Sequence, residues 1–321
     1  MPSEFELIRR YFTPPESDHD DVVLGVGDDC ALLTQNEGRE TAVSTDTLVA
    51  GVHFPADTAP YNIGFKSVAV SLSDLAAMGA RPVGILLALT LPEVDEEWLG
   101  EFARGLNDIL AREGGMLIGG DTTRGPLTIT VTAIGDLPVG SALTRDGAHS
   151  GDDIWVTGTL GDAALALKLM REGRECPEEL RAKLDRPDPR VREAYALRGV
   201  ATAAIDISDG LAADLGHLLE SSGVSATLRL TDIPLSREFE AACGDDRDWN
   251  LPLAGGDDYE LLFTAQPGAR SVIFSRMTEL HCLVTRIGTI DEMEGEQVLR
   301  IIGLDGEKFV LDHGGYDHFR A

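Results

Sequence analysis

Short apolar runs in this chain repeatedly start or stop at turns that carry aspartate. This limits the fold to one in which many buried strands and helices deliver their ends to acidic loops. Residues 31–35 and 41–47 read as two strands joined by the polar turn Asn36-Glu37-Gly38-Arg39. Residues 62–78 carry the apolar pattern of a buried helix that stops at Gly79-Ala80-Arg81-Pro82, and 83–91 is an apolar strand. Asp95 is placed to cap a helix that runs through Glu113 and ends at Gly114-Gly115. A short strand, 116–118, then opens into Gly119-Gly120-Asp121-Thr122-Thr123-Arg124-Gly125, and 127–133 alternates as a strand. The small, Gly-rich stretch 135–151 separates an expected first domain, residues 1–137, from a second, 150–321. The second mixes strands (154–157, 226–230, 260–264, 283–287) with helices (162–171, 190–202, 211–220), so the whole chain is α/β (α+β).

Charge narrows the function. Fifty-five acids against 27 bases give a net charge of -28, which repels nucleic acid and anionic membranes and argues against both as main partners. Lys66, Lys168, Lys183 and Lys308 are the only lysines. No G-x-x-x-x-G-K-[ST] loop exists, nor the Gly-rich loop, V-A-I-K and H-R-D of protein kinases. Any phosphate chemistry therefore falls to metal ions held by the acids, since a bound cation reverses the local field. Cys30, Cys176, Cys243 and Cys282 lack disulfide or zinc spacing. Met1-Pro2-Ser3-Glu4-Phe5-Glu6 lacks a basic and apolar leader pattern, and no run of about 18 apolar residues occurs, so a cytoplasmic location is expected.

Taken singly, each acidic segment has a plain alternative. Gly27-Asp28-Asp29 is either a hard-oxygen site for Mg²⁺ or a solvated turn. Ser44-Thr45-Asp46-Thr47 groups oxygens at the expected end of a strand, where an Asx turn would also fit. Asp74 lies in a helix of small and apolar residues and needs a partner, either a metal or a buried hydrogen bond. Asp121 follows two glycines that allow a ligand close to the backbone. Asp206, Ser208 and Asp209 precede a helix, whose N-terminus favours an anion, and Asp209 could instead be its cap. Gly255-Gly256-Asp257-Asp258-Tyr259 places acids before a strand, whereas Gly151-Asp152-Asp153 reads as a solvated turn. Arg124 and Arg145 are candidates for phosphate contact or surface ion pairs.

In order along the chain these segments resemble the thiamine-monophosphate kinase family. The motifs are Gly27-Asp28-Asp29-Cys30-Ala31, Ser44-Thr45-Asp46-Thr47, Ser71-Leu72-Ser73-Asp74-Leu75, Gly119-Gly120-Asp121-Thr122, Ile207-Ser208-Asp209-Gly210-Leu211 and Gly255-Gly256-Asp257-Asp258-Tyr259. The resemblance runs from Phe5 to Tyr316-Asp317-His318-Phe319. It implies the two-domain fold shared with aminoimidazole ribonucleotide synthetase and selenophosphate synthetase, with N-terminal domains paired across a homodimer. It implies transfer of phosphate from ATP to thiamine monophosphate, giving thiamine diphosphate, with several Mg²⁺ ions. By position, Asp29, Ser44, Thr45, Asp46, Asp74, Asp121, Asp206 and Asp209 would be metal ligands. Gly120, Asp121, Arg145 and Ser208 would contact ATP, and His53, Asp257 and Tyr316 the substrate. Many relatives carry Glu where this chain has Asp257, one methylene shorter. The rival readings are another ATP-using enzyme of the superfamily and a non-catalytic nucleotide or Mg²⁺ sensor.

Overall fold

The structure, a computed structural model, describes residues 6, 8–13, 20–24, 26, 31–34, 36–244, 247–293, 295, 297–311 and 315. Asp28, Asp29 and Tyr316 lie outside the described residues. The chain divides into two compact units, one of residues up to Leu75 with Ala80–Gly140, the other of Ala76–Gly79 with Ser141 onward.

The first unit contains β1 (Val22–Leu24), β2 (Leu32–Leu33), β3 (Arg39–Val49), α1 (Pro60–Ala77), β4 (Arg81–Leu91), α2 (Glu96–Glu113), β5 (Met116–Arg124) and β6 (Thr128–Pro138). Its main sheet runs β3-β6-β4-β5, antiparallel except for the β4–β5 pair, which α2 connects as a parallel crossover. Alternation decides the faces: Ile129, Val131, Ala133, Leu87 and Leu89 are buried, while Thr45, Thr47, Leu86 and Ala88 point to the opposite, open side. Asp95 caps α2 by accepting the Glu97 and Trp98 N–H groups, and Gly114 ends it at φ 79°. The two helices touch backbone to backbone, because a β-carbon at Gly105 would lie 1.9 Å from the Tyr61 carbonyl oxygen.

Two expectations change here. The turn at Asn36 closes no hairpin: β2 pairs with β1, and β3 pairs with β6 over all eleven of its residues, a far longer ladder than the 31–35 segment could offer. The strand expected at 116–118 continues through Gly-Gly-Asp to Arg124. Lacking a β-carbon, Gly120 lets β5 approach β4, since one there would lie 1.9 Å from the Leu87 carbonyl oxygen.

The second unit contains β7 (Asp153–Thr157), α3 (Asp162–Arg171), α4 (Glu178–Asp185), α5 (Val191–Leu197), β8 (Ala203–Asp206), α6 (Leu211–Ser222), β9 (Ser225–Arg229), α7 (Arg237–Cys243), α8 (Asn250–Ala254), β10 (Leu261–Ala265), α9 (Arg270–Glu279), β11 (Val284–Asp291), β12 (Leu299–Ile302) and β13 (Lys308–Phe309). Its sheet order is β13-β12-β9-β11-β7-β10-β8. Helices cover both faces, which explains why β7 and β10 are buried at every position without alternation. Ile154, Val156 and Leu262 join Leu211, Leu215 and Leu218 of α6 on one side. Trp155 and Phe263 join Val191 of α5 and Ile273 and Met277 of α9 on the other.

Asp152 and Asp153 do not form a solvated turn. Asp152 accepts from the His149 N–H and the Thr202 hydroxyl, and Asp153 pairs with Arg270 and Arg286. Both are buried. The expected helix 190–202 is the shorter α5, whose end is followed by Arg198 donating to the Gly79 carbonyl.

Candidate active site

In the first unit, Ser44 and Asp46 sit on the helix-covered face of β3, opposite Ser71 and Asp74 of α1. The Ser44 hydroxyl donates to Asp74 Oδ2. Asp46 Oδ2 is buried with no hydrogen-bond partner. Burial, and after it the charge of Asp74, push the Asp46 carboxyl up to about 6 against the pull of a Ser71 hydrogen bond. Asp46 therefore stands mid-strand, facing a second carboxylate, rather than at the strand end its sequence context implied. Carboxylate and hydroxyl oxygens, one of them unpartnered, are the donors a hard divalent cation takes. Among the described residues no three of His, Cys, Asp and Glu are grouped to hold an ion by themselves. A cation here would complete its shell from hydroxyls, water or phosphate, the habit of Mg²⁺.

The same register separates other candidates. The row Asp46–Val131–Leu87–Gly120 crosses the sheet, so Asp46 and Gly120 lie about 14 Å apart at three strand spacings. Asp121 falls in the next row, with Ala88 and Thr130, and is exposed on the open face. Thr45 shares that face, its hydroxyl 2.9 Å from that of Thr132. Arg124 sends its Nε to the Pro92 carbonyl. His53 lies in the turn after β3, its Nδ1 accepting the Val49 N–H at 3.0 Å, which leaves the proton of the neutral ring on Nε2.

In the second unit, β8 ends at Asp206 and the chain turns through Ser208 and Asp209 into α6. Asp209 is not the cap. Gly210 occupies that position with no side-chain cap of its own, and Asp214, inside the first turn of α6, reaches back instead. One oxygen, Asp214 Oδ2, accepts the N–H groups of Ser208, Asp209 and Gly210 at 2.9, 3.1 and 3.2 Å. Burial, then the charges of Asp206 and Asp209, raise the Asp214 carboxyl to about 7. Sequence reading passed over this residue. Its signal was an acid four positions after Gly210 in an otherwise apolar helix start. The helix N-terminus, expected to favour a ligand anion, is thus occupied by a carboxyl group of the protein itself.

A second acidic segment is fastened to this loop. The Asp257 N–H donates to the Ser208 carbonyl and the Tyr259 N–H to that of Ile207, at 2.9 and 2.8 Å. Asp257 and Tyr259 both hold left-handed backbone, φ 64° and 50°, and the Tyr259 hydroxyl donates to Asp257 Oδ1. Between them, Asp258 accepts the Gly161 N–H while its Oδ2 is buried without a partner, and burial raises its carboxyl well above the ordinary value. A β-carbon at Gly315 would lie 2.9 Å from the Asp209 carbonyl oxygen, so the residue before Tyr316 passes this loop. Arg145 stands apart. Its carbonyl accepts the Ser222 hydroxyl, at the opposite end of the 12-residue α6, about 18 Å of helix from Asp209.

Residues 27–137 match the family AIR synthase related protein, N-terminal domain, and residues 149–299 match AIR synthase related protein, C-terminal domain. Over 323 residues, 98% of each chain, the sequence is 45% identical to the thiamine-monophosphate kinase of Escherichia coli (strain K12). The chain belongs to the thiamine-monophosphate kinase family. Among solved structures, thiamine-monophosphate kinase from Stenotrophomonas maltophilia K279a superposes with a TM-score of 0.85 at 44% identity, covering 94% of this chain and 95% of that one. AaThiL complexed with AMPPCP and TMP superposes with a TM-score of 0.76 at 31% identity, covering 98% and 96%. Among the described residues no helix is long and apolar enough to cross a membrane.

Proposed function

We propose that this chain transfers the γ-phosphoryl group of ATP to thiamine monophosphate, giving thiamine diphosphate and ADP, the last step in making that cofactor. The observation that carries the reading is its likeness over nearly its whole length to AaThiL complexed with AMPPCP, an analogue of ATP, and TMP, thiamine monophosphate. The orphaned oxygen of Asp46 beside Asp74 supports Mg²⁺ as the ion between acids and phosphates. Bound Mg²⁺ would neutralise charge on the phosphate oxygens and align them.

Everything else falls to the chain's own groups. Ser44, Asp46 and Asp74, with Asp206 and Asp209, supply hard oxygens, and Asp29, Thr45 and Asp121 complete the proposed set. Ser208, Gly120 and Arg145 hold the nucleotide, and His53, Asp257 and Tyr316 the acceptor. An acceptor phosphate with a second pKa of about 6 is largely deprotonated at neutral pH, so no general base is needed. Its oxygen attacks the γ-phosphorus in line, the bond to the bridging oxygen breaks, and ADP leaves with that electron pair. No group of the protein is phosphorylated. We place the enzyme in the cytoplasm, where ATP is supplied, and as a homodimer paired through the open face of the β3-β6-β4-β5 sheet.

The test is ADP release with ATP, Mg²⁺ and one acceptor at a time. Thiamine monophosphate is expected to be turned over and thiamine not. ATP binding without thiamine diphosphate formation would favour a sensor, and turnover of a different phosphorylated acceptor would favour another enzyme of the superfamily.

A further inference from the structure

The loop 207–210 carries two residues assigned to nucleotide and metal, yet its main-chain N–H groups are all engaged within the protein. Three successive N–H groups at the start of a helix form a concavity suited to a phosphate. Here all three, from Ser208, Asp209 and Gly210, converge on Asp214 Oδ2. The Asp214 N–H in turn donates to the Gly210 carbonyl, which closes the first turn of α6 around the contact. Gly210 packs closely on the backbone at the end of α8, where a β-carbon on it would lie 2.8 Å from Ala254 Cα. On the other side the Ser208 and Ile207 carbonyls are held by the N–H groups of Asp257 and Tyr259. The loop is pinned from both flanks, and one side chain supplies the inner flank.

We propose that Asp214 is a positioning residue for phosphoryl transfer: its carboxyl oxygen fills the anion site of the helix start and fixes the Ser208–Gly210 main chain, so that Ser208 and Asp209 meet nucleotide and metal through their side chains. This rests on the roles given above to Ser208 and Asp209. It also excludes main-chain N–H contact between this loop and a phosphate, because the donors are already used. Removing the acceptor frees three N–H groups that a phosphate or water would then compete for. The loop that orients Ser208 and Asp209 would relax.

The experiment compares Asp214→Ala with the wild-type enzyme for half-saturating Mg²⁺, KM for ATP, KM for thiamine monophosphate, kcat and the thermal midpoint. Half-saturating Mg²⁺ and the ATP KM are expected to rise about tenfold or more, as for the loss of a charged buried hydrogen-bond acceptor, with a smaller change in the KM for thiamine monophosphate. A purely structural role would lower the thermal midpoint and leave both constants of the folded enzyme unmoved. Wild-type constants within about twofold in the folded variant overturn the proposal. Should Asp214→Ala fail to fold, Asp214→Asn, which keeps the volume and one acceptor oxygen, decides by the same two constants, with a rise of several-fold expected. Asp209→Asn is measured alongside. If it too behaves as wild type, the role given to the loop itself fails. If it is impaired while the Asp214 variants are not, only the positioning role is lost.

Discussion

An unpartnered buried carboxylate oxygen lowers stability by about 1–3 kcal/mol, and a second acid beside it adds repulsion. Asp46 carries both penalties, with Oδ2 orphaned and Asp74 facing it. Replacing it by Asn removes the charge that Asp74 repels while keeping the shape. In the absence of Mg²⁺, Asp46→Asn is therefore expected to unfold in urea at a midpoint no lower than that of the wild type. Added Mg²⁺ is expected to raise the wild-type midpoint, as any ligand of the folded state does, and to raise that of the variant less. Turnover in the ADP assay is expected to fall by at least about a hundredfold, the scale of removing an electrostatic contact to the transferred group. Asp74→Asn is expected to behave alike in turnover. Near-normal activity in both variants would remove the assignment of these acids to the metal.

Which elements could be read from the sequence depended on whether their signals were local. Helix α2 was legible from Asp95 to Gly114 because cap, amphipathic face and left-handed stop all lie within it. The partner of β3 was not, because Thr128–Pro138 is far away in the chain and the nearby turn at Asn36 offered a false hairpin. The extension of β5 through Gly120 was hidden for a similar reason: the close approach to Leu87 that calls for glycine exists only once β4 is in place. The acidic loops were found as segments, but not their faces. Strand register sends Asp46 inward and Asp121 outward. Asp153 shows the cost of judging by local likeness, since β7 carries it inside, where it joins Arg270 of α9 to Arg286 of β11. Burial opposes its ionisation, but the two guanidiniums outweigh that and hold its carboxyl below the ordinary value. A lowered folded-state value means stability that is present above the unfolded carboxylate value of about 3.9 and lost as pH falls through the folded one. Asp153→Asn is expected to lose about 1–3 kcal/mol at pH 7 by urea unfolding, given two half-exposed partners. The gap to wild type should close below about pH 4. A gap independent of pH would mean that the clamp acts through packing alone.

At the scale of the whole molecule the net charge of -28 opposes self-association unless some surface is spared it. The open face of the first unit's sheet is such a surface. Between the row of Val43 and that of Thr47 it shows Thr45, Thr130, Thr132, Ile134, Leu86 and Ala88, with Asp121 as its acid on the edge strand. Val43 is 62% exposed in the single chain, and the threonine hydroxyls are already paired across strands, Thr45 with Thr132 and Thr47 with Thr130. A second copy laid on this face would cover apolar and β-branched surface without burying bare charge, apart from Asp121. That acid would then be carried to the boundary between subunits, so pairing and turnover should fail together. The wild type is expected to sediment as a dimer at micromolar concentration, and Val43→Arg or Leu86→Arg as a monomer with turnover reduced about tenfold or more through lost positioning. Val272→Arg, on α9 of the other unit, is expected to change neither. A Val43→Arg enzyme that stays dimeric would move the interface elsewhere, and a fully active monomer would detach Asp121 from the chemistry.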